Sequence, residues 1–153
     1  MGPSRGVAML RVFLASHAHL ASGLQSAVEL LAGIGDRLFV CDAYVDRGTF
    51  DVSGALNDFL ADAAPDDQIL LLSDLYGGSV NTALVPALVD PRVRLVSGAN
   101  LAFVLAVLLE DAPIDDDRLA EMVEEARGPL GGVPIGENDE QYPSDDGTDG
   151  FFE

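Results

Sequence analysis

One histidine and one aspartate of this chain each follow an apolar run that is typical of a buried strand. His17 comes directly after the run 12–16, and Asp74 follows the run 69–72 after a single serine. A neutral imidazole offers one nitrogen lone pair near pH 7, so it can accept and return a phosphoryl group. A carboxylate bonded to the other ring nitrogen fixes the tautomer and stabilises the positive charge that develops during attack. These residue types predict a phosphorylatable histidine, His17, with Asp74 as its catalytic partner.

A glycine-rich turn after Asp74 is the predicted place for the phosphoryl oxygens. Glycines allow a ligand to approach the backbone closely, and the first N–H groups of a helix have no partner within that helix. We expect such N–H groups after His17 and after the glycine pair to surround the phosphoryl group, together with a serine hydroxyl. The predicted phosphate-binding residues are Ala18, Gly77, Gly78 and Ser79.

A second histidine lies two positions after the first and is predicted to have an accessory role. His19 and His17 form a His-X-His pair, but the chain has only these two histidines and one cysteine, which do not complete a typical zinc set. We therefore predict no metal site. His19 is expected to cap the following helix or to line the site, with a purely structural role as the alternative.

Three further polar positions are interpreted as structural or solvated. Asn100 is expected to cap a helix first and to be an accessory neighbour of the site second. Asp42 and Asp46 flank Tyr44 after the predicted second strand and resemble paired carboxylates. We interpret both as solvated loop charges.

Apolar runs rich in β-branched and large residues alternate with helical patterns, which is typical of βαβ units. This predicts an α/β fold: a doubly wound, mostly parallel sheet of four to five strands in the order 2-1-3-4, with helices on both faces. In that order the first and third strands are neighbours, so His17 and Asp74 meet at their carboxyl ends. Pro86 is expected to kink or shorten the third helix. The predicted strands are 10–16, 38–44, 68–73 and 93–97, and the predicted helices are 20–32, 51–63, 79–89, 101–110 and 116–127.

Composition divides the chain into three parts. Residues 1–9 are predicted to be an N-terminal extension and residues 10–130 the folded domain. Residues 131–153 form an acidic tail with few apolar groups before Phe151 and Phe152, too few to offset the cost of ordering, so we predict that it is disordered. The alternative is a docking tail that uses the two terminal aromatic residues.

The charge of the chain excludes some classes of partner. The formal net charge is −18, and the chain contains no lysine. Such a balance repels nucleic-acid phosphates and anionic lipid, so we predict no nucleic-acid binding and no direct membrane insertion. The longest apolar run, 101–109, is much shorter than the ~20 residues that cross a bilayer. A single cysteine, Cys41, is expected to be buried and cannot form an internal disulfide, which favours a reducing, cytoplasmic location.

Three segments of the chain resemble motifs of a known family. They are 14–24 (LASHAHLASGL), 72–81 (LSDLYGGSVN) and 96–101 (VSGANL). Together they resemble the mannose/fructose-type enzyme IIA of the bacterial phosphoenolpyruvate-dependent sugar phosphotransferase system, over about residues 10–110. By that resemblance His17 is the phosphorylated residue, Asp74 is the aspartate bonded to it, and Gly78 with Ser79 form the phosphate-binding turn.

The resemblance implies a cytoplasmic histidine phosphocarrier, a phosphotransferase of sugar transport. It would accept phosphate from the phosphohistidine of HPr and pass it to enzyme IIB. No bound cofactor is expected, because the phosphoryl group arrives on one partner and leaves on another. An apolar rim around His17, including Leu20, Tyr76 and Phe103, would be the docking surface. The family is typically homodimeric, with a C-terminal strand exchanged between subunits.

One position and one segment depart from the family pattern. Ala18 stands where the family usually has glycine, and its methyl group narrows the choice of backbone angles. The segment that would supply the exchanged strand, 131–136, contains Pro134 and is poor strand material.

Two other functions are compatible with the motifs. One is the phosphocarrier subunit of dihydroxyacetone kinase, which also presents a histidine after its first strand, although the turn from Asp74 to Ser79 argues against it. The other is a non-catalytic regulatory or ligand-binding module, in which His17 is a phosphorylation-controlled switch or has no chemistry.

Overall fold

A parallel sheet is the centre of the fold. The computed structural model describes residues 7–45, 51–110 and 112–136. In these residues all strand pairs are parallel and the strand order is β2-β1-β3-β4. The predicted α/β class, parallel pairing and order are confirmed. The strands are β1 Leu10–His17, β2 Leu38–Ala43, β3 Gln68–Ser73 and β4 Val93–Ser97.

Helices connect the strands and cover both faces of the sheet. Gly33 ends the first helix in the left-handed conformation, with φ +67°, and its N–H donates to the carbonyl of Glu29. The predicted helix 79–89 is α-helical only as far as Leu84 and continues as a 3-10 turn, Val85–Val89, because Pro86 has no N–H to donate to the preceding turn. The helices are α1 Leu20–Ala32, α2 Val52–Ala61, α3 Ser79–Leu84, α4 Leu101–Leu108 and α5 Asp116–Arg127, and a short 3-10 turn, Gly35–Arg37, precedes β2.

Alternate residues of the two central strands face two different cores, because successive side chains of a strand point to opposite faces. One core joins Val12, Leu14, Leu70 and Leu72 to α1, α4 and α5. The other joins Phe13, Ala15, Ile69 and Leu71 to α2 and α3. A sheet covered on both faces needs apolar residues at successive positions, which explains the unbroken apolar run of β3.

The single cysteine lies in the second of these cores, as predicted. Cys41 is buried in β2. Burial, together with the negative charges of Asp42 and Asp51, raises the pKa of its thiol to about 11. The thiol is therefore protonated at neutral pH and behaves as a small apolar core residue.

The carboxyl ends of three strands meet at one edge of the sheet. His17, the last residue of β1, pairs in register with Ala43, the last residue of β2. Ser73, the last residue of β3, pairs with Ala15 on the other side of β1. The chain leaves β1 toward α1 on one face and leaves β3 toward α3 on the other, so a crevice opens between the two connections.

The two ends of the described chain differ in how they are held. The Met9 N–H donates to Asp67 Oδ1 at 3.1 Å, and the Met9 carbonyl accepts from the Gln68 N–H at 2.9 Å. Residues 131–136, by contrast, are exposed and form neither helix nor strand. The rest of the predicted extension, 1–6, and of the predicted tail, 137–153, lies outside the described residues. Within the described ranges, we find no helix with the length and apolar character needed to cross a membrane.

Candidate active site

His17 and Asp74 are in direct contact across the crevice. His17 Nδ1 lies 2.9 Å from Asp74 Oδ2, and the same oxygen accepts a hydrogen bond of 2.9 Å from the His17 backbone N–H. The side chain of Asp74 is 9% exposed, whereas that of His17 is 41% exposed. The carboxylate is therefore buried, while the imidazole that it contacts reaches solvent.

The Asp74 carboxylate remains ionised in this setting. Burial acts to raise its pKa, but the hydrogen bonds from the backbone N–H and ring of His17 outweigh burial, and the pKa of Asp74 is lowered. An ionised carboxylate can only accept hydrogen bonds, so the contact assigns the ring proton to Nδ1. The lone pair of His17 is then on Nε2, the ring nitrogen that does not contact Asp74.

The turn 77–79 lies beside this free nitrogen. Ser79 Oγ is 3.5 Å from His17 Nε2, which is long for a hydrogen bond. A Cβ atom on Gly78 would lie only 3.3 Å from His17 Cε1, and Gly77 has a left-handed φ of +74°. The two glycines therefore have different functions, since one allows the imidazole to approach and the other allows the chain to turn.

A buried polar cluster holds the turn in place. The hydroxyl of Ser73 donates to Asn81 Oδ1 at 2.8 Å, and the hydroxyl of Ser97 donates to the same oxygen. Asn81 lies in the first turn of α3, so the ends of β3 and β4 are tied to the start of that helix. This cluster was not predicted from the sequence. The feature of the sequence that could have indicated the cluster is a serine at the end of each of two neighbouring predicted strands, Ser73 and Ser97.

Ala18, directly after the histidine, has an unusual backbone conformation. Its φ is +48°, in the left-handed region that favours glycine. Its N–H donates to the carbonyl of Ala43 at 2.7 Å and so links the ends of β1 and β2. This N–H is therefore not free to donate to a phosphoryl oxygen. The donor that was predicted at Ala18 is used within the fold instead.

A second histidine–aspartate pair lies next to the first. His19 Nδ1 is 3.3 Å from Asp42 Oδ2, and the His19 side chain is 72% exposed whereas that of Asp42 is 19% exposed. His19 occupies the residue before α1, but its side chain makes no capping hydrogen bond. The prediction that His19 caps this helix is therefore wrong for its side chain, while an accessory role at the site stays a prediction.

The side chain of Asp42, which lies in β2, caps the start of α1. Its Oδ1 accepts from the Ser22 N–H at 3.0 Å, and its Oδ2 accepts from the Ser22 hydroxyl. Burial acts to raise the pKa of Asp42, but the bonds from Ser22 and His19 outweigh it and lower that pKa. Our interpretation of Asp42 as a solvated loop charge is wrong, because a carboxylate of β2 neutralises the start of α1. Asp46, given the same interpretation, lies outside the described residues.

The start of α1 is consequently less open to a ligand than predicted. The Ser22 N–H is used by Asp42, and the Ala21 N–H donates to Ser16 Oγ at 2.7 Å. The prediction that N–H groups at this helix start surround a phosphoryl group is therefore wrong for these two residues. At the other turn the Gly78 N–H donates to the Leu75 carbonyl at 3.3 Å, so the Ser79 hydroxyl is the donor that remains predicted for the phosphoryl oxygens there.

An aromatic residue that the sequence analysis did not assign to the site lies against the histidine. The rings of Tyr44 and His17 have centroids 5.9 Å apart and planes inclined by 32°. Tyr44 follows β2 and has a left-handed φ of +58°. No local pattern in the sequence signals a contact between the end of β1 and the turn after β2.

Two other predicted residues lie in structural positions. Asn100 caps α4 as predicted: its Oδ1 accepts from the Phe103 N–H at 2.8 Å, and its Nδ2 donates to the Ala126 carbonyl at 2.7 Å. Its accessory role at the site stays a prediction. Phe103 is 2% exposed and packs in the core, so its predicted place on the rim is wrong. Leu20 and Tyr76 are exposed.

Metal-ligating residues are not grouped in the part of the chain that the structure describes. Among residues 7–45, 51–110 and 112–136, no cluster of three or more His, Cys, Asp or Glu side chains is arranged to hold a metal ion.

The fold and site define a doubly wound α/β protein with an aspartate-bound histidine at the carboxyl edge of its sheet. A family model described as the PTS system fructose IIA component matches residues 11–126 of the chain. The chain therefore belongs to this family, the IIA components of the sugar phosphotransferase system (PTS).

Solved structures of PTS proteins are similar to this chain. One is the PTS IIA protein associated with the fucose utilization operon of Streptococcus pneumoniae, at 25% identity and a TM-score of 0.70, covering 83% of this chain and 95% of that one. Another is the mannose/sorbose specific IIA subunit from Enterococcus faecalis, at 21% identity and a TM-score of 0.71, covering 83% of this chain and 96% of that one. The second comparison is evidence of a shared fold.

Proposed function

We propose that this chain is a cytoplasmic phosphohistidine carrier of a sugar phosphotransferase system. It accepts a phosphoryl group from HPr on His17 and passes it to enzyme IIB for sugar uptake. The observation that carries this proposal is the 2.9 Å contact between His17 Nδ1 and Asp74, which leaves Nε2 as the free nucleophile of an exposed imidazole. Family membership supports the same assignment.

The transfer is an exchange of one nitrogen–phosphorus bond for another. The Nε2 lone pair of His17 forms a bond to phosphorus, the bond from phosphorus to the donor histidine breaks, and its electron pair returns to the donor nitrogen. The proton on Nδ1 stays in place, so the His17 ring gains positive charge, which the Asp74 carboxylate stabilises. The reverse exchange, with a histidine of enzyme IIB as acceptor, releases the group.

The phosphoryl oxygens are proposed to bind at Gly78 and Ser79, with Gly77 shaping the turn. The Ser79 hydroxyl lies 3.5 Å from His17 Nε2 and is close enough to donate to an oxygen of a group attached there. Gly78 keeps the backbone near the ring, because any larger residue would press on His17 Cε1. No cofactor takes part in this scheme.

The partners are proposed to dock on the exposed apolar rim around His17. We now define this rim as the exposed apolar side chains on the segments that follow β1, β2 and β3, without the buried Phe103: Leu20, Tyr44, Val45, Leu75 and Tyr76. Apolar area at the centre of an interface supplies binding energy, and the net charge of −18 attracts a basic partner surface and speeds encounter.

The carrier is also proposed to be a homodimer. Leu130, Val133 and Ile135 are exposed after α5, and β4 pairs only with β3 among the described residues. A second copy would cover these apolar side chains and the edge of the sheet. Light scattering during size-exclusion chromatography should give about twice the chain mass of 16.1 kDa, and a mass of one chain at micromolar concentration would contradict the dimer.

The test of the carrier function is the intact mass of the protein after incubation with phosphoenolpyruvate, enzyme I and HPr. We expect an acid-labile phosphoryl adduct on the wild type and on His19→Ala, and none on His17→Ala. The His19 variant is the matched control, because it removes a neighbouring imidazole that also contacts a carboxylate. No adduct with a competent cognate HPr would refute the proposal, and phosphorylation only by the donor of a dihydroxyacetone kinase system would favour that alternative.

A further inference from the structure

Tyr44 has a backbone conformation that its exposure does not explain. Its φ of +58° is rare for a residue with a bulky side chain and costs free energy. Core packing does not account for this conformation, because Tyr44 is exposed. Its ring contact within the described chain is with His17, at 5.9 Å between ring centroids. Strained residues persist where the surrounding structure holds them, and they cluster at functional sites.

The residues on either side of Tyr44 are attached to the segment that carries His17. Asp42 is bound to Ser22 at the start of α1 by two hydrogen bonds and contacts His19. The carbonyl of Ala43 accepts the N–H of Ala18 at 2.7 Å. The backbone before Tyr44 therefore cannot move without moving the residues that follow His17. This attachment keeps the tyrosine ring beside the imidazole.

The contact places an aromatic ring beside a ring whose charge changes in the reaction. When Nε2 bonds to phosphorus while Nδ1 keeps its proton, the imidazole gains positive charge. The face of a tyrosine ring carries partial negative charge and attracts a cation within about 6 Å of its centroid. The Asp74 carboxylate meets the same imidazole at Nδ1, so the two groups act on it at different points.

We propose that Tyr44 is a positioning residue of the phosphoryl transfer. Its ring holds the orientation of the His17 imidazole and stabilises the charge that the imidazole gains. The left-handed backbone at Tyr44 is the conformation that keeps the ring there. This inference rests on the proposed function, because it concerns the same transfer at the same histidine.

The experiment compares the wild type with Tyr44→Phe and Tyr44→Leu, using two phosphoryl donors. One donor is phosphorylated HPr, and the other is phosphoramidate, a small molecule that has no docking surface. Phenylalanine keeps the aromatic face and removes the hydroxyl, whereas leucine keeps apolar bulk and removes the aromatic face. We measure the initial rate of adduct formation by intact mass. Thermal unfolding and the NMR resonances of the His17 ring, which the ring current of residue 44 shifts, report on fold and contact.

We expect Tyr44→Phe to remain within about twofold of the wild type with both donors, and Tyr44→Leu to be roughly three- to fivefold slower with both. The ring-current shift should be kept in the phenylalanine variant and lost in the leucine variant. A leucine variant that is slow with HPr but normal with phosphoramidate would overturn the inference, because Tyr44 would then act only in docking. Normal rates with both donors would overturn it as well.

The wild type separates this inference from the proposed function. If it takes no phosphoryl group from HPr or phosphoramidate, the carrier function fails and the role of Tyr44 fails with it. If it is phosphorylated on His17 and only the expectations for the leucine variant fail, the carrier function stands and Tyr44 has no positioning role. If the leucine variant unfolds well below the wild type, Tyr44→Met, which has an unbranched side chain, replaces it and must show the same slowing with both donors.

Discussion

The two histidine–aspartate pairs have the same residue types and the same ring nitrogen in contact with a carboxylate, but their surroundings differ. Nδ1 lies 2.9 Å from the carboxylate in the His17–Asp74 pair and 3.3 Å in the His19–Asp42 pair. Asp74 Oδ2 accepts from both the ring and the backbone of His17. Asp42 instead accepts mainly from Ser22, at the start of a helix.

The two histidines are distinguished by the groups around the ring nitrogen that does not contact a carboxylate. Nε2 of His17 lies near Ser79, in a turn whose glycine lets the chain approach the ring. His19 extends largely into solvent, beside a helix start that Asp42 already neutralises. A carboxylate contacts an imidazole in both places, and the described contacts add the glycine–serine turn 77–79 to only one of them.

We expect the two aspartates to differ most in how strongly their loss slows the phosphoryl transfer. Asp74→Asn removes the negative charge that stabilises the cationic His17 ring and should slow adduct formation from phosphorylated HPr roughly a hundredfold, the low end of the range for groups that assist proton and charge transfer. Asp42→Asn, the matched control, should stay within about threefold of the wild type. Equal slowing in the two variants, measured by intact mass against time, would remove the distinction between the pairs.

The next effect concerns stability, where the two aspartates should behave alike. The pKa of each carboxyl is lowered in the folded protein from an ordinary value of 3.8. A lowered pKa means that the ionised form stabilises the fold above pH 3.8, and that this contribution is lost as the pH falls through the folded value. Each Asn variant should therefore lose about 1–3 kcal/mol at pH 7, and the difference from the wild type should begin to shrink as the pH falls below 3.8 toward the folded pKa.

Urea unfolding at a series of pH values from 7 to 3 measures this difference. Asp36→Asn, at an exposed position, serves as the control for the loss of one charge. A stability loss that is independent of pH in both variants would contradict the proposed origin of the effect in the carboxylate charge.

The smallest expected effect concerns the residue between the two histidines. Ala18 has a φ of +48°, so Ala18→Gly removes a steric cost and should stabilise the protein by up to about 1 kcal/mol. Ala27→Gly, within α1, should instead destabilise it by about 1 kcal/mol, because glycine lowers helix stability. Thermal unfolding of both variants shows whether each substitution raises or lowers the stability of the protein. If Ala18→Gly lowers it, relief of backbone strain does not determine the effect of this substitution.

Much of the fold and part of the site could be predicted because the relevant signals are local. Helical spacing predicted α1, and an asparagine directly before an apolar helix, Asn100, predicted the cap of α4. Alternating patterns predicted βαβ units, and the common doubly wound order 2-1-3-4 expected for such units placed His17 near Asp74. In a parallel sheet the chain leaves every strand at the same edge, so residues at the ends of neighbouring strands come together there.

The errors occurred where a side chain is bound by a distant part of the chain. Asp42 has the sequence context of a loop charge, but the register of β2 against β1 sets it beside Ser22. Phe103 follows a predicted cap in a nearly continuous apolar helix, so periodicity alone did not say which face is buried. These outcomes depend on register and helix rotation, which the pattern of residue types does not specify.

Local patterns in the sequence predicted the α/β class and the glycine turn after Asp74, and the strand order expected for that class placed His17 near Asp74. Three contacts became evident only in the folded chain: Asp42 binds the start of α1, the Ala18 N–H bonds to Ala43, and Tyr44 lies against the imidazole. These two kinds of information differ in how far along the chain they act. Periodicity, caps and turn residues act over a few neighbouring positions, whereas the contacts that distinguish the two histidines join strands and helices whose relative placement is set by packing of the whole core.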